Sequence, residues 1–444
     1  MDTIKNFLAR FYIPMGTFFI LSGSYFLRFG VNVFIARILG AALFGDYIIT
    51  IRILIILSNV ALVGTNITSS RYLPIFYKER NFKSAQDYFR WNFSVIVLSF
   101  LICLIIAVIA FLIMYILHFY DIKNLKDYYL PVYSLWIVPI VALFLLFSSL
   151  LLAQNYNLSS AFFKNILNLL LIFAAFYVVY YLLGIKATNI NIIVILGGVF
   201  LIITILQAWI LFRQNKGFAK LFINSFKLKN IKITNDWLTF SYRIVISNIA
   251  YYLLSVIDLM IVEIVVPSEN QVGYYAAVLT ITLFIWMIPN ALYRFIKPAI
   301  AANLEEKSNR LALQKSIKEI NILNVLMSVF FTLLIIYYSK NLLNFFGSGY
   351  EKAQTALIIA ACAFFIGTFA KSPVILLIFA GYEKLLIYVT VTELTTLTVL
   401  GGIFAYFWGI EGVAMATFIA ITIKTTMAYI FAKTKIKLEP WAFF

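Results

Sequence analysis

The sequence predicts an all-α integral membrane protein, with about twelve transmembrane helices in two parallel six-helix bundles. Three observations support this fold class: the composition, the length of the apolar segments and a weak internal repeat. Of the 444 residues, 63% are hydrophobic and 12% are charged, and the mean hydropathy is +0.97. Soluble domains carry about 25% charged residues, so this chain is too apolar for that class.

Apolar segments of helical length follow one another along the chain. A membrane-spanning helix needs roughly 20 such residues, and no segment shows the alternating pattern of a membrane barrel. We number the segments as spans one to twelve, at 12–36, 46–69, 92–117, 129–152, 165–184, 191–212, 238–265, 274–297, 320–338, 353–380, 385–407 and 411–432.

Lys and Arg residues are distributed unevenly between the two sets of loops. Because twelve is even, both ends of the sequence lie on one side, where 24 Lys/Arg occur against six on the other. The positive-inside rule makes the richer side cytoplasmic. We therefore predict a multi-pass membrane protein with both termini cytoplasmic. The basic residues form no separate domain, so no nucleic-acid partner is expected.

Two pairs of segments repeat at nearly one offset. "ALFGDYIITI" resembles "NQVGYYAAVLTI", which pairs Gly45 with Gly273 at an offset of 228. "LLAQNYN" resembles "LIFAGYEK", which pairs Ala153 with Ala380 at an offset of 227. Six spans per repeat return the chain to the same side, so the halves are parallel repeats. The predicted domains are an N-terminal bundle at 1–212, a basic cytoplasmic linker at 213–236 and a C-terminal bundle at 237–444.

Proline falls within three spans, as Pro139, Pro289 and Pro373. Proline removes a backbone hydrogen bond and kinks a helix. These positions are candidate hinges, although membrane helices also tolerate proline without a hinge role.

Arg294 and Lys297, at the cytoplasmic end of span eight, are counted with the loop that follows. Five further cations lie within spans: Arg28, Arg52, Arg243, Lys371 and Lys424. A charge at the bilayer centre costs ~2.5–3.5 kcal/mol on insertion scales. Arg243 lies close enough to the cytoplasmic end of its span to extend toward water. The other four are expected to face the interior of the protein.

Polar residues recur at helical spacing in three spans, so each set shares one helix face. The sets are Ser24, Arg28 and Asn32 in span one, Arg52, Asn59 and Asn66 in span two, and Ser247, Tyr251, Ser255 and Asp258 in span seven. A stripe facing lipid would leave polar groups unpaired. We therefore predict that all three stripes face inward.

Several motifs resemble those of the polysaccharide flippases. This family belongs to the superfamily that also contains multidrug and toxic-compound extruders and peptidoglycan lipid flippases. The motifs run in order through nearly the whole chain: "ARILG…FGDY", "SSRYLPIF", "VGYYAAV", "LLNFFGSGYEKAQTAL", "AGYEK" and "WGIEGVAMAT". The resemblance implies two six-helix bundles in a V. It also implies a location in a bacterial inner (plasma) membrane. There the protein would transport undecaprenyl-pyrophosphate-linked oligosaccharide from the cytoplasmic to the outer leaflet during O-antigen, capsule or exopolysaccharide synthesis.

The inward cations suit the pyrophosphate of such a substrate, because Arg donates paired hydrogen bonds to phosphate. The predicted substrate-binding residues of this cationic groove are Arg28, Arg52, Lys371, Lys424, Asn32 and Asn59. The alternative is that the cations pair with acids and serve packing. Lys424 could also extend to the cytoplasmic interface.

Asp258 and Glu393 are candidate sites for coupling flipping to an inward flow of protons or sodium ions. Alternatively, each is a hydrogen-bonded carboxyl or a partner for Lys371 or Lys424. We predict no catalytic residue, no metal site and no cofactor besides such a coupling ion.

Two other functions remain open on sequence alone. In a multidrug or cation extruder of the same superfamily, the substrate groove favours acids and aromatic residues. This chain places more cations than acids there. A membrane glycan polymerase or transferase usually needs a larger outer loop than the dozen residues of "HFYDIKNLKDYY". We therefore predict a transporter rather than an enzyme. Its expected partners are the lipid-linked oligosaccharide, the bilayer, and polysaccharide polymerase and assembly proteins.

Overall fold

The computed structural model describes residues 2–119, 129–214, 235–303 and 310–441. Most of the predicted linker at 213–236 lies outside this part, as do the side chains of Arg243 and Ser247. The described residues form helices and turns and no β-strand. The fold class predicted from composition and segment length is confirmed.

The helices follow the predicted spans closely. Their bounds are Asp2–Ala61, Thr65–Lys78, Phe82–Phe119, Tyr129–Ser134, Val138–Ala153, Asn157–Phe162, Asn168–Phe176, Asn189–Gln214, Asn235–Leu254, Ile257–Val265, Asn270–Asn303, Arg310–Tyr337, Ser339–Asn344, Gln354–Thr368, Lys371–Phe379 and Glu383–Ile436. Short 3₁₀ turns cover Leu135–Ile137 and Tyr350–Ala353, and π-helical turns cover Phe163–Leu167 and Tyr177–Leu182.

Two of the helices contain two spans each. Asp2–Ala61 turns at Gly40 with φ 75°, and Glu383–Ile436 turns at Gly409 with φ 58°. Both values lie in the left-handed region that glycine adopts without steric cost. Nine helices of the described part are long and apolar enough to cross a membrane. Counting these two as pairs and adding span seven, which is broken into shorter helices, gives the twelve spans of the sequence prediction.

Two of the three prolines mark real interruptions. Pro139 lies in the first turn of Val138–Ala153, and Pro373 lies in the first turn of Lys371–Phe379. The first turn of a helix has no internal acceptor for those amides, so proline costs no hydrogen bond there. Pro289 instead lies within the long helix Asn270–Asn303. Spans four and ten are therefore interrupted, and span eight is continuous.

The described helices group into two compact units. The first comprises Met1–Leu27 and Asp46–Ile249, and the second comprises Arg28–Gly45 and Ala250–Phe444. This division differs from the predicted domains, because it assigns the C-terminal part of span one to the second unit.

The segment Arg28–Gly45 packs within the second unit through backbone and ring contacts. Arg37 Nε donates to the Phe345 carbonyl oxygen at 2.7 Å, and the Phe29 and Phe346 rings lie 5.6 Å apart. At Gly45, a Cβ would lie 2.8 Å from the Gly273 amide nitrogen. The two glycines that the internal repeat pairs thus contact each other, and their small size permits this approach.

The core of the second unit joins spans eight, nine, ten and twelve. Its buried residues are Tyr293, Ile296, Ile300, Leu313, Ile317, Ile375, Leu376, Leu377, Ala432, Ile436 and Leu438. The residues after span twelve fold back on this core. Trp441 Nε1 donates to the Phe369 carbonyl oxygen at 2.9 Å, and its ring stacks on Tyr429 at 4.1 Å. Phe369 follows the first helix of span ten, so this bond satisfies a carbonyl that the interruption leaves open.

The first unit contains a buried aromatic and hydroxyl cluster. Trp237, at the start of span seven, lies 5.9 Å from the Trp91 ring and 5.3 Å from the Tyr88 ring. The Tyr88 hydroxyl lies 2.7 Å from Thr68 Oγ1, and either oxygen can donate. These contacts hold the first helix of span seven against spans two and three.

Candidate functional site

The polar face of span one divides in the structure. Ser24 and Asn32 are buried, whereas Arg28 is exposed. Ser24 Oγ donates to the Leu21 carbonyl oxygen at 2.6 Å, and Asn32 Nδ2 donates to Thr280 Oγ1 at 3.2 Å. Asn32 therefore joins span one to span eight within the second unit.

Two residues of the predicted stripe in span two form a hydrogen bond across a break, since one helix ends at Ala61 and the next begins at Thr65. Asn66 Nδ2 donates to Asn59 Oδ1 at 3.2 Å, and Asn59 Nδ2 donates to the Ile55 carbonyl oxygen at 2.7 Å. Arg52 lies two turns away and is partly buried. The spacing of seven residues thus placed Asn59 and Asn66 next to each other, but the predicted stripe is not one continuous helix face, because a turn at 62–64 interrupts the span.

The predicted stripe of span seven is not one continuous face. Asn235–Leu254 ends before Ser255, and a new helix covers Ile257–Val265. Tyr251 and Ser255 are exposed, whereas Asp258 is 7% exposed and its Oδ1 accepts the next backbone amide at 2.8 Å. The broken helix changes the direction of the side chains, which a fixed helical period could not predict. It also places a buried carboxylate in the first turn of a new helix, where the helix dipole stabilises negative charge.

Lys371 begins the second helix of the interrupted span ten, directly after the break. Its ammonium donates to Asn290 Oδ1 at 2.6 Å and lies 5.8 Å from the centre of the Trp286 ring. Both partners are neutral, and no carboxylate of the described residues forms an ion pair with Lys371. The groups that act on it electrostatically are the cations Lys297, Lys424 and Arg294. Lys371 therefore keeps an uncompensated positive charge in a partly buried position.

Lys424 of span twelve has the opposite surroundings. Its ammonium lies 2.9 Å from Glu393 Oε2 and donates to Oε1 at 3.1 Å. The Lys424 side chain is 20% exposed and the Glu393 side chain 8%. Glu393 thus pairs with a lysine, which was one of the interpretations that the sequence left open.

Span eight contributes a face that sequence analysis did not single out. Trp286, Asn290, Arg294 and Lys297 follow at intervals of four, four and three residues in the continuous helix Asn270–Asn303. Such spacing puts all four on one side. Arg294 and Lys297 are exposed, and both interact with Lys371. The helical spacing was a usable signal, but both cations counted as residues of the cytoplasmic loop.

The structure therefore brings only some of the predicted residues together. Lys371, Lys424 and Glu393 form one cluster of the second unit, to which Asn290, Arg294 and Lys297 belong. The other predicted residues of that unit are Arg28, Asn32 and Asp258. Arg52 and Asn59 lie in the first unit.

Most of the chain matches a known protein family. Residues 16–304 match the family model described as polysaccharide biosynthesis protein. The chain belongs to this family. No curated protein matches the chain.

Solved structures extend the family assignment to the fold. An inward-facing multidrug resistance MATE family transporter of the MOP superfamily is 13% identical, with a TM-score of 0.72 over 96% of this chain and 98% of the other. The lipid II flippase MurJ in an inward closed conformation is 17% identical, with a TM-score of 0.68 over 95% and 87%.

A third solved structure is a MOP superfamily transporter from Pyrococcus furiosus, whose reverse binding-pocket polarity was taken to suggest a different function. It is 13% identical, with a TM-score of 0.61 over 97% and 95% of the two chains. At these identities the likeness concerns the fold. This member of the family is therefore a multi-pass membrane protein with the fold of transporters and flippases.

Proposed function

We propose that the protein flips undecaprenyl-pyrophosphate-linked oligosaccharide from the cytoplasmic to the outer leaflet of a bacterial inner membrane. In this proposal both termini are cytoplasmic, and the product enters surface polysaccharide synthesis such as that of O-antigen, capsule or exopolysaccharide. The polysaccharide biosynthesis family and the fold of a lipid flippase support a lipid-linked substrate. Polysaccharide polymerase and assembly proteins are the proposed partners.

The observation that carries the proposal is the uncompensated charge of Lys371. A partly buried ammonium with neutral partners and neighbouring cations favours an anionic ligand, because added negative charge relieves the repulsion. Asn290 and the break before Lys371 hold the ammonium in one direction. Such a group can replace the hydration of a phosphate while the prenyl chain stays in lipid.

A multidrug extruder is the alternative function, since a MATE family transporter has the same fold. The cations around Lys371 argue against a cationic cargo, which they would repel. The two functions separate in vesicles that contain the purified protein. We expect flipping of an undecaprenyl-pyrophosphate-linked sugar and no accumulation of a lipophilic cation. Transport of the cation without flipping of the sugar lipid would overturn the proposal.

For ion coupling we take Asp258, which is buried in the first turn after the break in span seven. A carboxylate at a broken membrane helix is suited to a coupling ion. We propose that an inward proton or sodium gradient accelerates flipping through Asp258. Flipping in vesicles should respond to one imposed gradient in the native protein and lose that response in Asp258→Asn. An unchanged response in the variant would remove Asp258 from coupling.

A further inference from the structure

Trp286 lies beside Lys371, the lysine that we propose binds phosphate. Its ring centre lies 5.8 Å from the Lys371 ammonium, and Asn290, which binds that ammonium, follows one turn later in span eight. Trp286 is partly buried, and the Lys371 ammonium lies over its ring. The aromatic surface and the cation thus lie next to each other on one side of the unit.

Neighbouring residues fix the orientation of the indole. Phe364 meets it edge-on at 6.3 Å with an interplanar angle of 89°. Gly367 packs against the ring edge, since a Cβ there would lie 3.3 Å from Trp286 Cζ3. Both residues belong to span ten, which also carries Lys371. The ring and the ammonium are therefore held by the same helix pair, and their separation is set by the packing of spans eight and ten.

This arrangement matches a sugar joined to a phosphate. The face of an aromatic ring carries partial negative charge, so it attracts the polarised C–H groups of a pyranose. In a glycosyl pyrophosphate, the sugar is bonded through one oxygen to phosphate. A phosphate at Lys371 would therefore bring its first sugar within reach of Trp286.

We propose that Trp286 binds the first sugar of the lipid-linked glycan by stacking on it. This inference rests on the proposed function and deepens it, because it divides the substrate between two adjacent groups. Lys371 binds the phosphate, and Trp286 binds the sugar. Trp286 thereby distinguishes a glycosylated lipid from bare undecaprenyl pyrophosphate.

The test compares two lipids with purified protein in detergent or nanodiscs: undecaprenyl pyrophosphate and the same lipid carrying one sugar. In Trp286→Leu, affinity for the sugar lipid should fall by about five- to tenfold, in the range of an aromatic contact. Affinity for the bare lipid should change by less than about twofold, on the same scale. Trp286→Phe keeps an aromatic face and should retain most of the affinity for the sugar lipid.

A second variant leaves the indole in place. Gly367→Ala places a methyl group 3.2 Å from Ile421 Cγ2 and 3.3 Å from the ring edge, so it should reduce affinity for the sugar lipid by a smaller factor than Trp286→Leu does. Equal losses for both lipids, or none in Trp286→Leu, would overturn the role of Trp286. If the native protein bound neither lipid, the proposed function would fall, and this inference with it. The two failures are thus distinguishable.

Discussion

Lys371 and Lys424 lie in the same unit and interact electrostatically, but their partners differ. The Lys424 ammonium lies between the two oxygens of the Glu393 carboxylate, at 2.9 and 3.1 Å. The Lys371 ammonium binds a neutral amide at 2.6 Å and lies beside an indole ring. Lys424 forms a compensated ion pair, and Lys371 has no carboxylate partner among the described residues.

This difference favours Lys371 over Lys424 as the proposed ligand-binding cation. Removing either partner of a buried ion pair leaves an unpaired charge, so the pair at Lys424 chiefly constrains spans eleven and twelve. An ammonium with neutral partners can accept an anion without first breaking an ion pair. Of the two lysines, we therefore assign ligand binding to Lys371.

The largest effect is expected from Lys371→Gln. A hydrogen bond to a charged group contributes about 1.5–3 kcal/mol, so the initial flipping rate in vesicles should fall about ten- to hundredfold. Lys384→Gln is the matched control, because Lys384 is exposed at the start of span eleven. An equal loss in the control would mean that total charge, rather than this site, governs the rate.

Glu393→Gln should lower the stability of the protein, and this effect does not require a bound ligand. It leaves the partly buried Lys424 ammonium without its carboxylate, at a cost of about 1–3 kcal/mol. The midpoint of thermal unfolding in detergent reports this loss. Adding Lys424→Gln should recover most of the midpoint, because the unpaired charge is then gone. A double variant as unstable as Glu393→Gln would argue against a compensated pair.

Asn290→Asp would give Lys371 the kind of partner that Lys424 has. The new ion pair should leave the unfolding midpoint unchanged or higher. Affinity for undecaprenyl pyrophosphate should fall by about tenfold, because the carboxylate competes with the phosphate and repels it. Lipid binding by the purified variant measures this change. Binding as tight as in the native protein would contradict the role assigned to the uncompensated charge.

Trp441→Phe should have the smallest effect, confined to the surroundings of Lys371. It keeps the aromatic stack on Tyr429 and removes the bond to the Phe369 carbonyl, which contributes about 0.5–1.5 kcal/mol. Hydrogen exchange should quicken for the amides around the break in span ten. Exchange around Glu393 should remain unchanged, and equal acceleration at both places would indicate a general loss of structure.

The arrangement of spans could be predicted because it depends on local properties of the sequence. Segment length and hydropathy identify each span whatever its neighbours are, and glycine alone suits the turns at Gly40 and Gly409. Asn59 and Asn66 form a hydrogen bond although the helix breaks between Ala61 and Thr65, so their contact depends on the turn at 62–64 and not on one regular helix. The stripe of span seven failed as one continuous face because the helix breaks between Leu254 and Ile257.

The partners of the lysines could not be predicted, because they depend on how distant helices pack. Asn290 lies 81 residues from Lys371, and no local pattern joins them. Glu393 was foreseen as a partner for either lysine, and only the packing of spans eleven and twelve selects Lys424. Trp286 was missed since one aromatic residue in an apolar span carries no signal until its neighbours are known.

The most direct test measures how strongly the protein prefers undecaprenyl pyrophosphate over uncharged undecaprenol. The prenyl chain is the same in both lipids, so the ratio of affinities isolates recognition of the phosphates. We predict a preference of about tenfold or more in the native protein, and its collapse toward equal affinity in Lys371→Gln. A native protein that binds both lipids equally, or a preference that survives in Lys371→Gln, would contradict the assignment of this site to an anionic head group.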